Sequence, residues 1–249
     1  MSQGQLILHC GARQVERPEL DLIEAPPPTE TWYPLAHRTV LDRVLTTLDG
    51  AGFSIKKQAF GVSKDNHRFF GVLDLENEIG GGVSLAVGIR NSTDKSLPIG
   101  FTCGNRVFCC DNLAFSSDIL VVRKHTRFGE MRFGHAIASA VTQLHSYMGV
   151  EARRIAWMRE SEVTEDHANS LILQAYEKDI VGARLLPDVI HEWREPAHDE
   201  FKPRTMWSLL NAFTEVLKDR QRTQPARAAE ETIRLQSLLT GGMQFNVAA

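Results

Sequence analysis

The chain has 249 residues, with 28 basic against 31 acidic side chains and a formal charge of -3, so a uniformly basic, polyanion-coating protein is excluded and any nucleic-acid surface must be local. Hydrophobic residues at 43% and charged residues at 24% are globular proportions that exclude a mostly disordered, collagenous or extended coiled-coil chain. At this length roughly 70 to 75% of the extended surface can be buried, and the fold needs neither disulfide nor metal staples.

Four cysteines, Cys10, Cys103, Cys109 and Cys110, are too sparse for a disulfide framework. The opening MSQGQLILHCGARQVERPELDLIE soon turns acidic, unlike a secretion signal, and no apolar run reaches the length of about 18 residues that a membrane span needs. A cytoplasmic chain with reduced thiols and no membrane partner is expected.

Residues 1–34 read as an extended acidic, proline-rich arm, because Pro26, Pro27 and Pro28 lack backbone donors. Between residues 16 and 50 seven acids face three bases, which suits a solvated linker, a shield over a basic surface or a partner contact better than a phosphate surface. Leu35, Val40, Leu41, Val44, Leu45 and Leu48 then recur at helical spacing before Gly50 and Gly52, predicting a first helix. AFGV and RFFGVLDL flank a polar turn at 63–67 and predict a hairpin. After three glycines at 80–82, VSLAVGIR puts Val83, Leu85, Val87 and Ile89 on one strand face. Ser84, Ala86, Gly88 and Arg90 fall on the other, expected to stay wet or to lie against substrate. NSTDKSLP reads as a loop, IGFTC and RVFCC as strands reversing at Gly104 and Asn105, and DILVVRK as a further strand.

Phe133, Ile137, Ala140, Val141, Leu144 and Met148 form one apolar stripe, predicting a helix over 131–148 that covers this sheet. Further helices are expected over 166–181, capped by Thr164, over 206–219, capped by Thr205, and over 226–239, ended by Gly241 and Gly242. Trp207, Leu210, Phe213 and Leu217 read as intrachain core, with an oligomer interface as the alternative. The expected fold is α+β: a central antiparallel sheet of hairpins covered by helices, with a mainly helical C-terminal region. Residues 35–160 form its sheet-plus-helix core and 161–249 the helical region packed on it.

Chemical motifs are sparse. The glycines at 80–82 fit neither GxxxxGK nor GxGxxG and read as a strand connection. Cys103, Cys109, Cys110 and His125 could gather around zinc, or Cys109 or Cys110 with His125 and Asp111 into a nucleophilic group, yet there is no CxxC pair and adjacent strand cysteines point to opposite faces. The acid–imidazole neighbours Asp166/His167, His191/Glu192 and His198/Asp199 do not converge on a helix, and HEWRE is not HExxH. No catalytic residue, metal or cofactor is expected, and an enzyme with a noncanonical site is the lesser alternative.

Basic clustering says more. Between residues 121 and 159 seven bases face two acids, which makes Arg123, Lys124, Arg127 and Arg132 candidates for phosphate contact. Lys56, Lys57, Lys64 and Arg68 form a second candidate patch, with Phe69 and Phe70 beside it and Phe128 and Phe133 within the first. An exposed ring could stack a base, although most such rings are core. Residues 160–220, with 13 acids and seven bases, confine any such surface to the first part of the chain.

The run NSTDKS at 91–96, followed by CGNRVFCCDNLAF at 103–115, resembles the central signature of the phage/plasmid-like protein family called domain of unknown function 932. RTMWSLLNAFTEV at 204–216 is similar to the helical tail of that family. Asn91, Ser92, Asp94, Ser96, Asn105, Arg106 and Asn112 carry the likeness, whereas Thr93 and Lys95 stand where the family has histidine and glycine. The resemblance implies a mobile-element setting, and with it single-stranded DNA binding in recombination or replication, with oligomers aligning several sites. The alternative partners are host or mobile-element proteins.

Overall fold

The computed structural model describes residues 13–80, 82–107, 113–243 and 245, the side chains of 106–119, 221–223, 225 and 226 excepted. Six strands, β1 (Arg13–Val15), β2 (Ile55–Val62), β3 (Arg68–Gly80), β4 (Val83–Ser92), β5 (Ile99–Val107) and β6 (Leu113–Arg123), form one antiparallel sheet in chain order. Their register aligns Phe60, Gly71, Ile89, Phe101 and Val121 across the sheet, so strand alternation puts these residues on one face. Onto that face pack α2 (His37–Gly50), through Val40, Leu41, Val44 and Leu48, and α3 (Gly129–Thr142), through Phe133 and Ile137. Burying each such large side chain contributes about 1.5 to 3 kcal/mol.

The opposite face is not wet. Ser84, Ala86 and Gly88 are buried, and α9 (Pro225–Leu239) lies over this side with Ala229 and Ile233 against Ala59, Phe70, Val72 and Ala86. Small residues on both partners let the helix approach closely. Arg90 crosses Gly100, where an added Cβ would stand 2.7 Å from the arginine Cγ, and reaches to 3.6 Å from Glu230 on α9.

A second core, built from α4 (Leu144–Glu160), α5 (Glu165–Glu177), α6 (Leu186–Arg194), α7 (Met206–Val216) and α9, encloses Trp193, Trp207, Leu210, Phe213 and Leu217. Val83 joins it from the sheet, so the helical region closes the β3–β4 turn end. Thr164 and Thr205 cap α5 and α7 as expected, accepting from the amides of His167 and Ser208, and the helix expected over 206–219 breaks at Leu217 and resumes as α8 (Lys218–Thr223). Past α9, Gly241 and Gly242 take φ of 59° and 73°, the left-handed turn that returns their amides to Leu238 and Ser237.

Other expectations change as well. Gly104 and Asn105 do not reverse the chain: they sit in β5, opposite Ala86 and Leu85, and the connection to β6 falls after Val107. Ladder pairing on both sides overrides the local turn preference of Gly-Asn. The helix expected over 131–148 breaks at Gln143, whose amide bonds back to the Ala140 carbonyl, and resumes as α4 to Glu160. PDVIHEWR, read above only for its acid–imidazole neighbours, is helical as α6, with Pro187 in its first turn and Trp193 buried. Finally, the arm is structured where described: β1 pairs with β2, and α1 (Arg17–Asp21) buries Leu20 and ties Arg17 to Asp42 at 2.5 Å.

Candidate nucleic-acid interface

The register places the β2–β3 turn, the β4–β5 turn and the C-terminal end of β6 at one end of the sheet, because Arg68 pairs with Ser92, Arg90 with Gly100 and Ile99 with Arg123. This near end gathers Lys64, Arg68, Lys95, Arg123, Lys124 and Arg127, all exposed, and Arg132 follows in the opening turns of α3. Two of the candidates separate from the rest. Lys56 and Lys57 lie at the other end of β2, roughly 25 Å from Lys64 at about 3.3 Å per residue. The early basic patch is therefore not one surface.

Arg68 is committed locally, since its Nε donates to Asp94 at 3.1 Å and to Ser96 at 3.0 Å. Burial pulls the Asp94 carboxyl upward, but hydrogen bonds from the Ser96 side chain and amide, Arg68 and Ser92 outweigh it and hold the pKa at about 2. The Arg68–Asp94 pair thus stays ionised and contributes little net charge to a ligand. Arg123 donates to the Val122 carbonyl at 2.8 Å.

Of the four rings flagged in the basic regions, Phe69, Phe70 and Phe133 are buried, whereas Phe128 is 55% exposed. The chain turns there from β6 into α3, and the Arg127 guanidinium stands 5.9 Å from the Phe128 ring centroid. Leu120, Val122 and Met131 are also exposed nearby, on the outer strand of the sheet and the first turn of α3.

The signature residues divide between two places. Asn91, Ser92, Asp94 and Ser96 lie at the near end, Asn91 and Ser92 buried. Lys95 has φ of 67°, the left-handed conformation that glycine adopts freely, which gives a physical reason for the glycine of the resembled family. Its ammonium lies 5.1 Å from the Trp32 ring centroid, partly offsetting the backbone cost. Asn105 lies at the far end, where Nδ2 donates to Glu151 Oε1 at 2.6 Å. The Arg106 side chain and Asn112 lie outside the described residues, as do Cys10, Cys109, Cys110 and Asp111. Cys103 is buried, and among the described residues no group of histidines, cysteines and carboxylates could hold a metal ion.

Sequence reasoning missed the polar seat beneath the arm. Asn91 Nδ2 donates to the Leu35 carbonyl and to His37 Nδ1, each at 2.9 Å, and His37 Nε2 donates to the Asn66 carbonyl at 2.9 Å. His125 Nδ1 accepts from the Leu35 amide at 3.3 Å, and Trp32 meets the His125 ring edge-on. Lone histidines carry no sequence signal of such convergence. Elsewhere a cleft of about 520 Å³ between α5 and α9 carries Lys178 and Arg234, but the arginine is tied to the Lys178 and Asp179 carbonyls.

No family model matches this chain. Nor does any curated protein or solved structure, so the likeness to domain of unknown function 932 rests on the quoted residues alone. No helix among the described residues is long and apolar enough to cross a membrane.

Proposed function

We propose that the chain binds single-stranded nucleic acid without chemical turnover, at the near end of the sheet where β6 passes into α3. The observation that carries this reading is the exposed Phe128 ring flanked by Arg123, Lys124, Arg127 and Arg132. Guanidinium and ammonium groups hold phosphates by charge, and a base stacking on the ring adds about 1 to 3 kcal/mol irrespective of its identity. The stacking contribution favours an unpaired strand, whose bases are free to leave the stack, whereas phosphate attraction alone would hold a duplex as well. The signature resemblance supports a mobile-element setting such as recombination or replication.

Fluorescence anisotropy with single- and double-stranded DNA across a salt series tests it. Saturable preference for the single strand is expected, and Phe128→Ala should weaken binding by about 1 to 3 kcal/mol. Combined Arg123→Ala, Lys124→Ala and Arg127→Ala changes should lower the log–log salt slope by about 2, at roughly 0.7 per phosphate contact. An absence of binding at low salt overturns the proposal.

One observation favours a second reading. The outer edge of β6 pairs with no strand among the described residues, and Leu120 and Val122 are exposed on it, which suits a protein strand added to the sheet. A host or mobile-element protein, or a second copy of this chain, would engage that edge. Mass measurement of the free and DNA-bound protein separates self-association from nucleic-acid binding.

A further inference from the structure

The segment between α1 and α2 packs Ile23 and Leu35 against the core, and the hydrogen bonds of its last residues centre on Leu35. Leu35 is fastened at both of its peptide groups: its amide donates to His125 Nδ1 at 3.3 Å, and its carbonyl accepts from Asn91 Nδ2 at 2.9 Å. The second hydrogen of that Asn91 amide goes to His37 Nδ1 at 2.9 Å. The neighbouring Tyr33 amide adds a bond to the His125 carbonyl at 3.3 Å, and Thr29 and Trp32 close a turn at 2.8 Å.

Donor and acceptor chemistry fixes the protonation states. Asn91 Nδ2 spends both hydrogens, so His37 Nδ1 must be an acceptor, and the His37 proton sits on Nε2, where it reaches the Asn66 carbonyl. His125 Nδ1 accepts from Leu35, which leaves its proton on Nε2. Each imidazole therefore works as a neutral acceptor, one directly and one through Asn91. A proton on either Nδ1 places donor against donor. Rotating the Asn91 amide offers no escape at His37, because its oxygen would then face the Leu35 carbonyl.

The seat is also imperfectly satisfied. Asn91 Oδ1, His125 Nε2 and Trp32 Nε1 are buried without hydrogen-bond partners among the described residues, groups that water would satisfy if the segment lifted. Among the described residues no carboxylate is hydrogen-bonded to either imidazole. In the β2–β3 turn Asp65 is turned to Ser63 and the His67 amide, and in the β4–β5 turn Asp94 is turned to Arg68 and Ser96. The other charged or titratable groups of the surrounding elements are His67 and Lys64 on the first turn, Lys95 against Trp32 on the second, Lys124 and Arg127 beyond β6, Arg38 on α2, bonded to the Asp21 carbonyl, and the exposed Glu24 and Glu30 of the segment itself.

We propose that the Pro-rich segment over residues 23–36 is a strap latched at Leu35, and that a proton taken by His37 or His125 releases it from the end of the sheet while β1, α1 and the sheet stay folded. The release uncovers the Asn91 and His125 polar atoms beside the basic stretch 123–127, and it stands whether or not nucleic acid binds there. Burial is the main cause lowering both imidazole pKa values from the ordinary one; the bond to the Asn66 backbone opposes it at His37 and His67 adds to it, while at His125 the charge of His37 adds to it and a backbone bond with Tyr33 opposes it. Groups depressed in the latched state stabilise it above the ordinary imidazole value of about 6.5 and lose that stabilisation as pH falls below it.

Hydrogen exchange of the full chain between pH 8 and 5.5, corrected for intrinsic rates, tests the latch. Amides of Tyr33 and Leu35 should lose protection by up to about tenfold per pH unit for each proton taken up, while amides of β3 and β4 keep theirs. Unchanged protection of the strap, or loss of strap and sheet together, overturns the proposal. His125→Asn puts a non-titrating acceptor near the Nδ1 position, so the strap should stay protected at pH 8 with a shallower pH slope; an unchanged slope counts against the latch. Asn91→Ala removes the carbonyl fastening, and the strap should already exchange fast at pH 8 with β3 intact. A strap as protected as in the unsubstituted chain would sink the idea by an independent route.

Discussion

Two buried polar joints sit at opposite ends of the sheet, and they are built on different chemistry. At the far end Glu151 accepts from Asn105 of β5 at 2.6 Å, from Gln236 of α9 at 3.3 Å and from Arg154 on its own helix at 2.5 Å, so an ion pair ties three elements together. At the near end His37, Asn91 and His125 carry no charge and leave buried atoms without partners. Opening the first joint strands a charge in the interior. Opening the second only exchanges neutral hydrogen bonds for water. The contrast teaches that a fully paired buried charge serves permanence, while neutral imidazole acceptors leave a contact conditional on pH.

The largest expected effect tests permanence. Glu151→Ala removes the carboxylate that neutralises the buried Arg154 guanidinium and should cost about 3 to 5 kcal/mol in urea unfolding, with the helical region loosening from the sheet. A loss below about 1 kcal/mol, the median worth of a surface pair, would erase the distinction between the joints. Asn105→Ala withdraws one donor from the same carboxylate, and a cost of about 1 to 3 kcal/mol is expected in the same assay.

Acid titration probes the near end from a second side. Asp94, held at a pKa of about 2 against its ordinary 3.8, contributes stability that is present above the ordinary value and is lost as pH falls toward 2. Asp94→Asn should flatten that acid limb and leave the imidazole-dependent change below about pH 6.5 in place. If both limbs vanish together, the strap seat and the β4–β5 turn are one unit. The smallest effect belongs to Lys95→Gly, which relieves a left-handed residue but removes the cation from Trp32; opposing changes of about 1 kcal/mol each should nearly cancel in thermal unfolding.

Much of the sheet was legible in strand alternation. Val83, Leu85, Val87 and Ile89 had to share a face, and the turn at 63–67 had to close a hairpin between apolar runs. Gly104 and Asn105 misled because a local turn preference worth a fraction of a kcal/mol competes with ladder bonds from β4 and β6, which a sequence window does not contain. The wet face expected for Ala86 and Arg90 was wrong for a related reason: its cover, α9, arrives some 140 residues later in the chain. Of the candidate site, the charges were readable and their grouping was not. Lys64 and Arg123 share an end of the sheet, Lys56 does not, and Phe128 stands exposed at the cap before α3 while Phe133 lies buried on the helix.

What the sequence determined by itself was whatever depends on spacing along the chain: the α+β class, the hairpins, the capped helices and the apolar stripes, all set by periodicity and by caps that act within a few residues. Only the tertiary structure decided which polar groups meet. Leu35 with His37, Asn91 and His125 come from three stretches far apart in sequence and converge because β4, the arm and the segment after β6 end at the same place. Hydrogen bonds act over about 3 Å, and nothing in a linear pattern fixes distances on that scale between distant residues.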